Sequence, residues 1–290
     1  MTDFGFPDAE ARRVVETALD EDLRDGVDVT TTATIPVSQT SLSHVIARAD
    51  GVVAGLPVIE LVLAAVASRM GAARPEVEVH VEDGARVKRG DHLATVRGST
   101  QVTLVSERTI LNILCRTSGV ATHTRRWADQ LAGTSCLVLD TRKTTPGMRA
   151  LEKYAVRCGG GTNKRMGLYD VAMIKDNHKL AAGGLTAAYD AVRARFPEVP
   201  IQVEVTTTAE ALESVGAGAR FLLCDNMSPE LLRATVEAVR ATGEAVEIEA
   251  TGGLTLEVAA EYAATGCDYM SVGGLTHSSP ILDIALDLDA

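Results

Sequence analysis

The chain has 290 residues, with 28 Lys and Arg against 39 Asp and Glu, a net charge of −11. At roughly 100–200 residues per domain, that length calls for two domains or one large barrel with an appendage. Aromatics make up only 3% of so acidic a chain, which argues against a nucleic-acid binder, since that function needs basic patches and stacking platforms.

In chain order, residues 8–23 place Ala11, Val14, Val15, Ala18, Leu19 and Leu23 on one face of a helix. Residues 56–70 form a second, nearly apolar helix. Alternating stretches at 43–49 and 77–81 are expected strands, followed by the turn-rich Glu82-Asp83-Gly84 and Arg89-Gly90-Asp91 around short strands. That last segment faintly resembles the hammerhead strands of biotinyl and lipoyl domains. No Lys sits at a hairpin tip as a carrier would need, so it reads as structural. The first part of the chain, to about residue 110, then makes an α+β domain.

From Ser118 the pattern changes. Apolar runs of strand length lie at 136–140, 155–158, 171–175, 201–205, 221–225, 246–250 and 269–272. Helical stretches fall at 185–195, 209–215, 229–241 and 256–265. Such alternation argues for parallel βαβ units. Seven nearly continuous apolar strands suit a barrel wrapped in helices. A doubly wound open sheet is the alternative, disfavoured because no GxGxxG follows the first strand. No apolar run reaches the ~20 residues of a membrane span, and residues 1–10 are acidic where a signal peptide would be basic. The expected location is therefore the cytoplasm.

The charge is unevenly spread. Residues 108–179 hold 13 Lys and Arg against 5 Asp and Glu, a local +8, while the remainder carries −19. A basic quarter inside an acidic protein suggests a focused anion site. The five cysteines (Cys115, Cys136, Cys158, Cys224 and Cys267) form no CxxC pair and no Cys/His cluster. They are expected to be reduced, buried thiols rather than zinc ligands.

In an α/β barrel, chemistry occupies the C-terminal ends of the strands. Those ends deliver Asp140-Thr141-Arg142-Lys143, then 159–165, Lys175-Asp176-Asn177-His178, Glu204, Asp225-Asn226, Thr251-Gly252-Gly253 and Gly273-Gly274. Ordinary loop chemistry would explain any one of these; seven in succession point to a shared ligand site. The cations are Arg142, Lys143, Lys164, Arg165 and Lys175, with Arg108 a further candidate. Arginine suits carboxylates because its planar fork donates two parallel hydrogen bonds, and lysine suits phosphate as a compact point charge. Glu204 and Asp225 could do acid/base work, hold one hydrated Mg²⁺, or simply pair with neighbouring cations. The two glycine-containing turns could bind phosphate through backbone N–H groups. A ligand with a phosphate at one end, a Mg²⁺-binding polar middle and a multiply anionic far end satisfies all of these. Phosphoribosyl pyrophosphate with a dicarboxylate acceptor has that shape.

Several longer strings carry a specific likeness. They are Glu107-Arg108 with Leu111-Asn112 and Ser118-Gly119; TRKTTPG at 141–147; Ala155-Val156 to Gly159-Gly160-Gly161; IKDNH at 174–178; Val203-Glu204-Val205; Asp225-Asn226-Met227; and Ser271-Val272-Gly273 with Thr276-His277-Ser278. In these the chain resembles the quinolinate phosphoribosyltransferase family. The resemblance implies an N-terminal α/β sandwich over residues 1–116, joined by a C-terminal tail at 275–290, and an open seven-stranded α/β barrel over 117–274. It implies a homodimer, or a higher oligomer, with active sites shared across the interface. Arg108 (from the neighbouring subunit), Arg142, Lys143, Lys164, Arg165 and Lys175 would then face quinolinate. Glu204, Asp225, Thr251, Gly252, Gly253, Gly273 and Gly274 would face phosphoribosyl pyrophosphate, with Glu204 and Asp225 also meeting Mg²⁺, directly or through water. Lys143, Lys175, Glu204 and Asp225 would be the catalytic set.

The implied reaction yields nicotinate mononucleotide, CO₂ and pyrophosphate, a step of NAD biosynthesis. Three positions depart from the family pattern. Lys164 stands where His is usual, Thr251 where Ser is usual, and Gly274 where Ala is usual. Rival readings are a sister transferase with another aromatic acceptor, a Schiff-base aldolase using Lys175, and an anion-binding barrel without turnover.

Overall fold

Apolar periodicity decides the first helix. Ala11, Val15 and Leu19, each 1% exposed or less, line the inner stripe of α1 (Asp8–Leu23) in the computed structural model, which describes residues 5–289. Residues 1–4 of the acidic N-terminal stretch and Ala290 of the expected tail lie outside the described residues. Asp28 caps α2 (Val29–Thr34) by accepting from the amides of Thr30 and Thr31. Next come β1 (Thr40–Ala47), β2 (Gly51–Val52), α3 (Pro57–Met70), β3 (Glu76–Val79), β4 (Arg86–Val87) and β5 (His92–Ser99). Pro57 opens α3 and Gly71, in the left-handed region, closes it. A 31-residue helix, α4 (Thr100–Gln130), follows and runs straight through the boundary expected at 116/117.

The alternating half continues with β6 (Leu137–Leu139), α5 (Arg149–Cys158), β7 (Ala172–Ile174), α6 (Asp176–Ala182), α7 (Leu185–Arg195), β8 (Ile201–Val205) and α8 (Thr208–Gly216). It ends with β9 (Phe221–Asp225), α9 (Pro229–Ala241), β10 (Glu247–Thr251), α10 (Ala259–Ala263), β11 (Tyr269–Ser271), α11 (Gly274–His277) and β12 (Ile284–Leu288).

Two compact units result. The first gathers the chain through Arg125, then Thr144–Gly160, then everything from Leu275 onward. Its sheet, β12-β1-β5-β3, is antiparallel throughout, beside a β2-β4 pair. One apolar core joins Leu19 of α1, Ile59 and Leu63 of α3, Val45, Leu93, Ile110, Leu151 and Ile284.

The second unit holds Arg126–Lys143 and Gly161–Gly274. Its sheet, β6-β11-β10-β9-β8-β7, is parallel throughout. Val203, Leu222 and Ile248 stand level on neighbouring strands and are fully buried.

Six of the seven expected strands form here; the run at 155–158 does not. It lies in α5, because Leu151, Glu152, Ala155 and Val156 are buried at helical spacing. Besides its pairing with β11, β6 makes a single isolated parallel bridge, Leu139 to Thr162, among the described residues. Among the described residues no helix is long and apolar enough to cross a membrane.

Candidate active site

The parallel register fixes which side chains share a face of the second unit's sheet. Glu204 on β8 and Glu249 on β10 are both level with Leu223 on β9, and Thr251 is level with Asp225. Side chains alternate along a strand, so Gln202, Glu204, Asp225, Glu249 and Thr251 lie on one face. The apolar row through Val203, Leu222 and Ile248 takes the other.

At the C-terminal rim of that polar face, Lys175 caps α6 and donates through Nζ to Glu204 Oε2 at 2.9 Å. Behind it Lys179 is buried, with Nζ on Glu204 O, Glu210 Oε1 and Asp176 Oδ1. Burial draws the Lys179 pKa down, but the hydrogen bonds to Asp176 and Glu210 outweigh it and leave the value raised.

Asp225 and Thr251 end adjacent strands in nested turns. Asn226, at φ 52°, donates its backbone N–H to Thr251 O at 2.9 Å and its Nδ2 to Asp225 Oδ2 at 2.8 Å. Gly252 takes φ 95°, and a Cβ there would run into the Asn226 amide oxygen. Gly253 follows at φ 59° with open space around it. Backbone in this conformation can approach an anion closely.

Two arginines belong to the same unit. Arg165 Nη1 donates to Val171 O at 3.0 Å. Burial lowers the Arg165 pKa, and repulsion from Arg142 lowers it further, against the pull of Asp170. Two guanidinium groups close enough to repel each other favour a carboxylate between them.

The segment that delivers Arg165 is tied down twice. Asp140, fully buried, accepts from the Lys164 backbone N–H at 2.7 Å and from Asn163 Nδ2 at 2.8 Å. Lys164 sends its ammonium inward to Glu249 Oε1 at 2.5 Å rather than out along the rim. Burial lowers the Lys164 pKa, with Glu249 opposing.

Of the residues singled out from sequence, Arg142, Lys143, Lys175, Glu204, Asp225, Thr251, Gly252, Gly253, Gly273 and Gly274 fall at or just past the C-terminal ends of these strands, whereas Arg165 lies in the segment between α5 and β7, because the strand expected before it is part of α5. Lys143 is exposed, and Lys164 turns into the sheet. Arg108 belongs to the first unit, exposed on α4.

Sequence reasoning gave no part to Gln202 and Glu249. The signal was present: each is a polar residue alternating with apolar ones in a buried strand, IQVEV and EIEAT. Asp140, just past the end of β6, turns inward to hold the 163–164 segment, and Asp170 has no signal in the sequence, since loop-capping carboxylates look like ordinary turn residues.

Among the described residues no three His, Cys, Asp or Glu side chains gather as a metal cage. Glu204 and Asp225 instead offer two carboxylates from adjacent strands. That donor set fits Mg²⁺, which keeps waters and shares its shell with substrate oxygens.

Comparison with known proteins identifies the family. Residues 28–118 match the N-terminal domain of quinolinate phosphoribosyl transferase, and residues 120–287 match its C-terminal domain. The chain is 46% identical over 278 residues to a nicotinate-nucleotide pyrophosphorylase [carboxylating] of Mycobacterium leprae, covering 96% of this chain and 97% of that protein. It is 38% identical to a quinolinate phosphoribosyltransferase [decarboxylating] of Nicotiana glauca, across 98% of this chain and 83% of the relative. The crystal structure of NadC from Streptococcus pyogenes superposes with a TM-score of 0.91 at 32% identity, covering 100% of both chains. That of the nicotinate-nucleotide pyrophosphorylase from Francisella tularensis gives 0.89 at 30% identity, with 98% of each chain covered. With both domains matched in order and the likeness running from end to end, the chain belongs to the quinolinate phosphoribosyltransferase family.

Proposed function

We propose that the chain catalyses transfer of phosphoribose from phosphoribosyl pyrophosphate to quinolinate with decarboxylation, releasing nicotinate mononucleotide, CO₂ and pyrophosphate. The observation that supports this reading is that one parallel-sheet unit carries both the Arg142–Arg165 pair and the nested turns at Asp225-Asn226 and Thr251-Gly252-Gly253. The arginines suit a vicinal dicarboxylate, and the turns suit a phosphate.

The chain's own residues bind and orient. Arg142 and Arg165 hold the carboxylates so that the ring nitrogen faces the anomeric carbon. Lys143 faces the ligand phosphates and carboxylates. Lys175, paired with Glu204, presents its charge at the same rim. Glu204 and Asp225 hold the ribose hydroxyls and would hold Mg²⁺, which when bound supplies charge neutralisation to the departing pyrophosphate. Positioning and electrostatics carry the rate, and no general base is required. Once the nitrogen is alkylated, the pyridinium ring stabilises the electron pair left by CO₂, and a proton takes its place.

Two finer points belong to the same reading. The parallel sheet is an open barrel whose seventh position, beside β6, is held by the Leu139–Thr162 bridge. The working form is a homodimer in which Arg108 completes the neighbouring subunit's site.

Loss of quinolinate absorbance that depends on both phosphoribosyl pyrophosphate and Mg²⁺ tests the assignment. No turnover with quinolinate but turnover with another aromatic acceptor would replace it with a sister transferase. Borohydride trapping of a substrate on Lys175 would replace it with an aldolase.

A further inference from the structure

Three polar side chains meet inside the parallel sheet, and the reaction as described gives none of them work: Gln202, Glu249 and Lys164. Gln202 and Glu249 are completely buried, and the Lys164 side chain is 9% exposed. Lys164 Nζ donates to Glu249 Oε1 at 2.5 Å, and Gln202 Nε2 donates to Glu249 Oε2 at 2.6 Å. Each carboxylate oxygen thus has a fixed donor, one from β8 and one from the segment after α5. At this depth a lone carboxylate or a lone ammonium is strongly destabilising, whereas the pair is self-compensating.

The pair sits one residue from the chemistry. Lys164 is held by its backbone N–H on Asp140 and by its ammonium on Glu249. With both ends of residue 164 fixed, the chain direction entering Arg165 is fixed as well. Arg165 then reaches Val171 O and Met173 Sδ beside β7.

We propose that Glu249 is a positioning residue for the dicarboxylate end of the site: it draws the Lys164 ammonium into the sheet and cancels its charge, so that Lys164 sets the stance of Arg165 instead of facing the substrate. This rests on the reading that Arg142 and Arg165 hold the quinolinate carboxylates. Only an ammonium that reaches Glu249 and an acceptor that matches it can make this anchor, so the two residues act as one unit.

The test compares Lys164→Met, Glu249→Gln, the double variant carrying both changes, and Arg165→Lys, by steady-state kinetics in both substrates. Each of the first two leaves one buried charge unmatched. Each should raise the quinolinate KM about tenfold or more, while kcat and the phosphoribosyl pyrophosphate KM stay within about threefold. The double variant carries no lone charge and should recover at least about fivefold of that loss. A lysine that contacts the substrate gives the opposite result, a double variant as impaired as Lys164→Met, and overturns the proposal. So do single variants whose quinolinate KM moves less than about twofold. If the single variants fail to fold, the double variant decides: a quinolinate KM within about tenfold of wild type supports the anchor, and a larger loss overturns it. Arg165→Lys separates the two levels. If it leaves the quinolinate KM unchanged, the placement of the dicarboxylate is wrong and the anchor falls with it. If it raises that KM while the double variant shows no recovery, only the anchor falls.

Discussion

Burial and repulsion from Arg142 lower the Arg165 pKa against the pull of Asp170, so a carboxylate entering beside the two guanidinium groups gains from both. A lysine at 142 would keep the charge and lose the planar fork that makes two parallel hydrogen bonds. Arg142→Lys should therefore reduce kcat/KM for quinolinate by about 3 kcal/mol in transition-state binding, somewhat over 100-fold; unchanged kinetics would remove Arg142 from the site. Asp170 attracts the Arg165 guanidinium. Its carboxylate accepts from the amides of Met166, Gly167 and Val171 at 2.6, 3.1 and 3.1 Å. Burial pushes its pKa up, but those amide donors outweigh burial and leave it below the ordinary value of 3.8. A carboxylate depressed in the folded state stabilises the fold above its unfolded pKa, and that contribution is lost as pH falls through the folded one. Asp170→Asn should lower stability by about 1–2 kcal/mol at pH 7. The gap to wild type should close as pH falls below about 3.8. Urea midpoints at pH 7 and in acid measure both; a gap that does not shrink in acid would assign the effect to shape rather than charge.

At the scale of the element, the βα turns after β9 and β10 are built as a pair. Asn226 can adopt its left-handed conformation because its backbone N–H reaches Thr251 O, and Gly252 leaves room for the Asn226 side chain. Gly252→Ala places a methyl group against that amide in a backbone conformation that alanine rarely adopts. It should raise the phosphoribosyl pyrophosphate KM about tenfold and leave the quinolinate KM within about threefold, because Arg142 and Arg165 come from segments before β7 while the substituted turn follows β10. Equal effects on both substrates would mean the turn is not a phosphate site. How much of this was legible in the sequence follows from the same elements. The apolar runs that became β8 and β9 are bounded as expected, since a strand buried on its outer face must stay apolar at alternate positions. The rim residues were legible because a strand that ends in charge announces its end. The run at 155–158 misled because two adjacent apolar residues fit a strand and a helical stripe equally well; only Leu151, four positions earlier, distinguishes them. The inward turn of Lys164 was hidden for a different reason. Whether a lysine faces a ligand or a buried glutamate depends on what lies across the sheet, 85 residues away in the chain.

For the whole molecule, the net −11 and the local +8 of residues 108–179 make opposite predictions about how two anionic substrates arrive. Pairing reduces the local excess. Glu204, Glu210 and Glu249, all outside that window, are bound to Lys175, Lys179 and Lys164, which leaves +5. If the acidic remainder governed approach, added salt would screen repulsion and raise kcat/KM. If the rim governed, salt would screen attraction and lower it. The acidic residues are spread over the rest of a 14011 Å² surface, while Arg142, Lys143, Arg165 and Lys175 crowd one rim. A low-dielectric rim focuses the field of nearby charges, and scattered charges beyond a Debye length of about 10 Å at 0.1 M contribute little. The rim should therefore win. Raising ionic strength from about 0.02 to 0.5 M at constant free Mg²⁺ should lower kcat/KM about tenfold for both substrates, with kcat moving less than about threefold. A rise in kcat/KM with salt would show that the acidic surface governs approach and that the cations of the rim act only on substrate already bound.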